Sequence, residues 1–116
     1  MQFGLFGGAR TKRSVGIEDS QGYEAFIEYV IEADRLGFKQ LFMVEHHFTG
    51  QGQVSASMTV LAYLAARTRN IRLGTAVVVL PWHNPVLVAE QVATLDLLSG
   101  GRVDLGVGKG YRQAEF

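Results

Sequence analysis

The stretch IRLGTAVVVLPWHNPVLVAEQVATLDLLSGGRVDLGV, residues 71–107, reads as a complete strand, helix and strand. Ile71 to Leu80 is rich in β-branched and apolar residues, the pattern of a strand covered on both faces. Pro81 ends it, because proline has no N–H to give a sheet ladder. Asn84 followed by Pro85 is an N-cap with proline at the first helical position. Val88, Ala89, Val92 and Leu95 carry an apolar face up to Ser99, Gly100 and Gly101, where the helix stops. Val103, Leu105 and Val107 then alternate as a further strand. Two buried-type strands joined through a helix pair in parallel, by a right-handed crossover.

The same alternation runs upstream. Phe3 and Leu5 ahead of Gly7 and Gly8 predict a strand over 2–7, and Leu41, Phe42, Met43 and Val44 predict another over 40–44. Tyr23, Phe26, Tyr29, Val30 and Ala33 predict a helix over 20–36, capped by Asp19 or Ser20 and stopped by Gly37. Met58, Leu61, Ala62, Leu64 and Ala65 predict a helix over 57–68 with Ser57 as its cap. With the strands over 71–80 and 102–107 and the helix over 85–98, the chain is an α/β fold of parallel β/α units, a single domain over 1–116. Loops that follow parallel strands gather on one face, here 7–16, 45–55, 81–84 and 108–116, and function is expected there.

Composition narrows the classes. The chain has 116 residues, 47% hydrophobic and 19% charged, with no cysteine, which predicts a soluble globular protein without thiol chemistry or cysteine-ligated metal. Eleven Lys and Arg balance eleven Asp and Glu, so no overall basic field holds nucleic acid or an anionic membrane. No stretch reaches the roughly 20 apolar residues of a membrane span, and the start MQFGLFGGARTKR lacks the plan of a signal peptide. A cytoplasmic location is expected. Two local basic groups, Arg10 with Lys12 and Arg13, and Arg67 with Arg69 and Arg72, read as solvated faces or as places to hold a phosphate.

The most informative tetrapeptide is Glu45, His46, His47 and Phe48, where titratable groups leave an apolar strand at the ligand face. Neighbouring histidines there point to opposite sides and no HExxH accompanies them, so no metal is expected. Gly106, Gly108 and Gly110 alternate around Lys109, a turn whose backbone amides can approach a phosphate or a ring closely. It is not a dinucleotide fingerprint, because Tyr111 occupies the place of the third glycine. Gly74 within the strongest strand marks a close approach by another backbone or a ligand. Trp82 and His83 read as loop packing, and no G-x-S-x-G nucleophile is present.

Together, FGLF at 3–6, MVEHHF at 43–48 and the run from Ile71 to Arg112 resemble the flavin-dependent bacterial luciferase-like monooxygenases, over essentially the whole chain. The resemblance implies the N-terminal half of an eight-fold β/α (TIM-type) barrel, since a closed one needs roughly 250 residues. It implies use of reduced FMN and O2 to oxidise a small organic substrate such as an aldehyde, with a separate flavin reductase as partner. A deazaflavin on the same scaffold is the alternative, and a non-catalytic half-barrel that self-assembles or binds flavin is a third reading. An open sheet edge implies self-association or pairing with a second barrel half. At matching positions, His46 corresponds to the active-site histidine near the reactive edge of the flavin and Glu45 to an acidic residue beside it. Thr75, Ala76 and Val77 correspond to backbone laid against the isoalloxazine ring, with a non-proline cis peptide between Ala76 and Val77. Gly108 and Lys109 correspond to positions beside the flavin, with Lys109 towards its phosphate.

Overall fold

Parallel pairing of short apolar strands sets the architecture in a computed structural model that describes residues 1–10, 19–48 and 54–116, with Asp19 described by its backbone only. The order is β1 (Gly4–Gly7), α1 (Asp19–Arg35), β2 (Gln40–Met43), α2 (Ser57–Arg67), β3 (Arg72–Thr75), β4 (Val78–Val79), a 3-10 turn at Leu80–Trp82, α3 (Pro85–Ser99), β5 (Val103–Asp104), β6 (Val107–Gly108) and a second 3-10 turn at Gln113–Glu115. Strands β1, β2, β3 and β5 form one parallel sheet in that order, and β4 pairs with β6 in a second.

Register places Leu5 opposite Leu41, Leu41 opposite Leu73 and Leu73 opposite Val103. Because side chains alternate along a strand, Leu41 and Met43 point the same way, and both are fully buried with Val30 of α1 and Leu61 and Leu64 of α2. The next row, Phe6, Phe42, Gly74 and Asp104, lies on the other face. There the Phe42 ring covers Gly74 so closely that an added Cβ would stand 2.6 Å from it. The close approach anticipated at Gly74 is made chiefly by this neighbouring aromatic side chain, with the Leu41 backbone carbonyl oxygen next, 3.1 Å from where a Cβ would stand.

Polar side chains hold the connections. The Asp34 carboxylate accepts the backbone N–H groups of Arg69, Asn70 and Ile71 and ties the turn before β3 to α1. Arg102 donates to the carbonyls of Ala65, Thr68, Ile71 and Ser99, so one guanidinium satisfies orphaned acceptors at the ends of α2 and α3. Asn84 caps α3 as anticipated, accepting from Val86 and Leu87, and Gly100 closes it in the left-handed conformation with φ of 70°. Ser57 does not cap α2: the N-cap is Ala56, and the Ser57 hydroxyl turns inward to a carboxylate described below.

Two strands read from the sequence as continuous are broken. The one expected over 71–80 ends its first pairing at Thr75, passes through a cis Ala76–Val77 peptide, and resumes as β4 on β6 before the 3-10 turn. The one expected over 102–107 splits into β5 and β6. A shared bond pair explains both breaks: the Thr75 hydroxyl donates to the Gly106 carbonyl and accepts from the Gly106 N–H, replacing the ladder by side-chain bonds. Gly106 must be glycine for this approach, since a Cβ there would collide with the Thr75 carbonyl oxygen. Among the described residues no helix is long and apolar enough to cross a membrane.

Candidate active site

The extended segment after β2 sends its side chains to alternate sides. Glu45 and His47 turn the same way and meet at 2.8 Å, Nε2 to Oε1. His46 turns the other way, and its Nδ1 lies 3.0 Å from Oε1 of Glu115 in the last 3-10 turn. Its backbone is pinned as well, the N–H donating to the Val54 carbonyl at 2.9 Å.

Glu45 is the junction of this region. Its Oε1 accepts from Nε2 of His47 and Nε2 of His83, both at 2.8 Å, and from the Val79 N–H at 3.3 Å. Its Oε2 accepts from the Ser57 hydroxyl at 3.0 Å. Burial pushes the Glu45 carboxyl up, but the bonds from His47, His83 and Ser57 and the charge of His83 outweigh it and hold the group below its ordinary value. An ionised carboxylate only accepts, so both imidazoles present N–H to it. Glu45, His47 and His83 also bring three metal-ligating atoms within 4.8 Å of one another, a grouping that the sequence spacing conceals. As they stand, both histidine nitrogens and both carboxylate oxygens are engaged in hydrogen bonds.

Aromatic rings pack around this junction. Trp82 lies 5.2 Å from His47 and meets Phe48 edge-on at 5.7 Å. On its other side Trp82 stacks on Phe116 at 5.2 Å, with the planes only 11° apart.

Beside the junction opens a cleft of about 890 Å³. Strand ends and the segments after them line it: Phe6 to Arg10 from the end of β1 onward, Val44 to His46 after β2, Ala76 with Val77 after β3, Val79 of β4, and Gly108 to Arg112 with Glu115 from the end of β6 onward. Of the residues singled out from the sequence, Glu45, His46, Ala76, Val77, Gly108 and Lys109 are brought together here. Thr75 is not among the lining residues: it is buried, and its hydroxyl is bound to Gly106. His83 and Trp82 do pack, as expected, but on Glu45 and Phe116 and not merely on a loop. Arg10 of the first basic group reaches the cleft, while Lys12 and Arg13 lie outside the described residues. Glu115 was not anticipated, since nothing in its spacing links a lone glutamate to a histidine 69 positions away.

A family profile described as luciferase-like monooxygenase matches residues 1–116. The 4-hydroxyprotoasukamycin monooxygenase of Streptomyces nodosus subsp. asukaensis is 49% identical over 77 residues, 66% of this chain and 21% of that protein. The solved oxygenating constituent of 3,6-diketocamphane monooxygenase from Pseudomonas putida, in complex with FMN, superposes with a TM-score of 0.89 at 24% identity, over 98% of this chain and 31% of that one. The coenzyme F420-dependent tetrahydromethanopterin reductase of Methanopyrus kandleri superposes with a TM-score of 0.68 at 28% identity, over 99% of this chain and 28% of that one. The chain thus spans about a third or less of the length of these proteins.

Proposed function

The chain belongs to the luciferase-like monooxygenase family, and from that premise we propose that it builds the flavin face of an enzyme that oxidises a small organic molecule with O2. It is a partial barrel, and the cleft lies at the strand ends where such folds bind ligands. The observation that carries the reading is a histidine and a buried carboxylate, His46 and Glu115, in one cleft with the cations Arg10, Lys109 and Arg112.

The lining suits FMN. A cleft of about 890 Å³ is within the range of cofactor sites. Gly7, Gly8, Gly108 and Gly110 keep side chains off the lining, while Ala76 and Val77 give a short apolar wall for a ring. Lys109, Arg10 and Arg112 offer positive charge to a phosphate. Bound there in reduced form, the flavin would supply the electrons with which O2 is split between product and water. The protein's own part is proton handling and placement. With Glu115 ionised, His46 donates from Nδ1 and keeps its Nε2 lone pair to accept a proton. Phe6 and Tyr111 add apolar surface to the cleft, in keeping with a small organic substrate such as an aldehyde.

A deazaflavin in place of FMN is the second reading, supported by the likeness to a coenzyme F420-dependent reductase. A separate flavin reductase, a cytoplasmic setting and self-association belong to the proposal through the family resemblance. For association there is also exposed apolar surface on α3, at Leu97 and Leu98. The test is His46→Gln in the protein: turnover with reduced FMN should fall on the order of a hundredfold while FMN affinity holds. Full turnover would remove His46 from the chemistry.

A further inference from the structure

Glu45 lines the cleft, yet both of its carboxylate oxygens are engaged by protein donors. A residue placed beside a ligand but bonded elsewhere acts by holding something else. Following its bonds outward leads back to the neighbouring histidine. Glu45 binds His83, the preceding residue Trp82 stacks on Phe116, and the residue before Phe116 is Glu115, which meets Nδ1 of His46. His46 is itself the next residue after Glu45.

We infer that Glu45, His83 and Trp82 are positioning residues for His46, closing a ring of contacts that fixes its imidazole from both ends. The inference rests on the reading of His46 as the active-site histidine. Through Glu45 and His47 the ring holds the backbone that carries His46, and through Trp82 and Phe116 it holds the carboxylate that sets which nitrogen bears the proton. Each link is of a kind that fixes orientation. A buried carboxylate that takes four donors, three on Oε1 and one on Oε2, cannot swing without breaking several of these bonds. The stacked Trp82 indole holds the Phe116 ring in plane. The network also reaches the cleft wall directly, because the Val79 N–H on Oε1 belongs to β4, just after the cis Ala76–Val77 peptide.

The geometry explains why the two histidines of the tetrapeptide differ. His47 is a strut, bound to Glu45 and packed on Trp82. His46 is what the strut supports. The titratable and charged groups that share the cleft with His46 are Arg10, Glu45, Lys109, Tyr111, Arg112 and Glu115. Neither His83 nor Trp82 is among the cleft's lining residues, so substituting them probes position without touching the ligand surface.

Three variants of the protein test the ring: Trp82→Leu, His83→Ala and His83→Gln, the last keeping an N–H donor for Glu45. Imidazole NMR on histidine-labelled protein should show His46 as one tautomer, protonated at Nδ1, in the parent protein and in His83→Gln. In Trp82→Leu and His83→Ala it should show both tautomers in exchange, and kcat should fall about tenfold or more with FMN affinity within about twofold. An unchanged His46 tautomer in both disruptive variants, with the fold intact by circular dichroism, overturns the inference. Loss of FMN affinity in step with kcat in those variants also overturns it, since that is the mark of general damage to the cleft. Should His46→Gln keep full turnover, the proposed function fails, and the ring is then judged on the tautomer signal alone.

Discussion

His46 Nδ1 lies 3.0 Å from Oε1 of Glu115, a carboxylate whose side chain is only 4% exposed. The pair joins the segment after β2 to the 3-10 turn at Gln113–Glu115. A histidine so paired has its tautomer chosen for it, with the other nitrogen left for a proton from a ligand. Replacing Glu115 by glutamine keeps an acceptor but removes the charge, and turnover is expected to fall about tenfold or more. Steady-state kinetics with reduced FMN check this. Turnover equal to that of the parent protein would mean the pair is structural only.

Glu45 makes a different prediction, about stability. Its side chain is 1% exposed and takes donors from His47, His83, Ser57 and Val79. Glu45→Gln turns an amide N–H₂ into that ring of donors, and should cost about 2 to 4 kcal/mol near neutral pH. Because the folded carboxyl is held below its ordinary value, the stability it gives is present above the unfolded value of about 4.3 and is lost as pH falls through the folded value. Urea unfolding as a function of pH should show the two proteins converging in acid. A gap that persisted or widened there would contradict the assignment.

Asp34 obeys the same sign. Burial raises its carboxyl, but the backbone donors of Arg69, Ile71 and Asn70 and the charge of Arg102 lower it further, leaving it below its ordinary value. Its contribution is likewise complete above about pH 4 and disappears as pH falls through the folded value. Asp34→Ala frees three backbone N–H groups in the turn before β3 and should cost about 1 to 3 kcal/mol by urea unfolding.

Arg102 is a stability residue that a change to lysine will not preserve. Its planar fork reaches the carbonyls of Ala65, Thr68, Ile71 and Ser99 at once. An ammonium cannot match that spread, and Arg102→Lys should destabilise by about 2 kcal/mol or more. A melting temperature equal to that of the parent protein would show the fork to be dispensable.

Lys109 separates phosphate from ring recognition. On the reading of the cleft as a flavin site, Lys109→Ala should weaken FMN about three- to tenfold and leave riboflavin, which has no phosphate, unchanged. Equal losses for both ligands would place Lys109 at the ring instead.

Much of this was written in local sequence. Asn84 with Pro85 announced α3, and Leu41 to Val44 announced β2, because capping and buried-strand composition act over a few residues. The cleft-facing positions of His46, Gly108 and Lys109 followed from parallel topology, which sends every post-strand loop to one face. What stayed hidden depended on partners far along the chain. Thr75 read as a ligand neighbour because its pairing with Gly106 spans 31 positions, and the same pairing broke two strands that look continuous by composition. Ser57 looked like a helix cap because its inward partner, Glu45, lies in a different loop. His83 and Glu115 carry no motif of their own, and only the fold brings them to Glu45 and His46.

The central claim, that this cleft with His46 at its side receives a flavin, is tested most directly by titrating histidine-labelled protein with FMN and following the imidazole resonances. The account predicts saturable shifts at His46, with His47 and His83, which do not line the cleft, moving far less. Saturation with FMN that leaves His46 unmoved while His47 or His83 shifts would contradict it, as would no shift at any of the three.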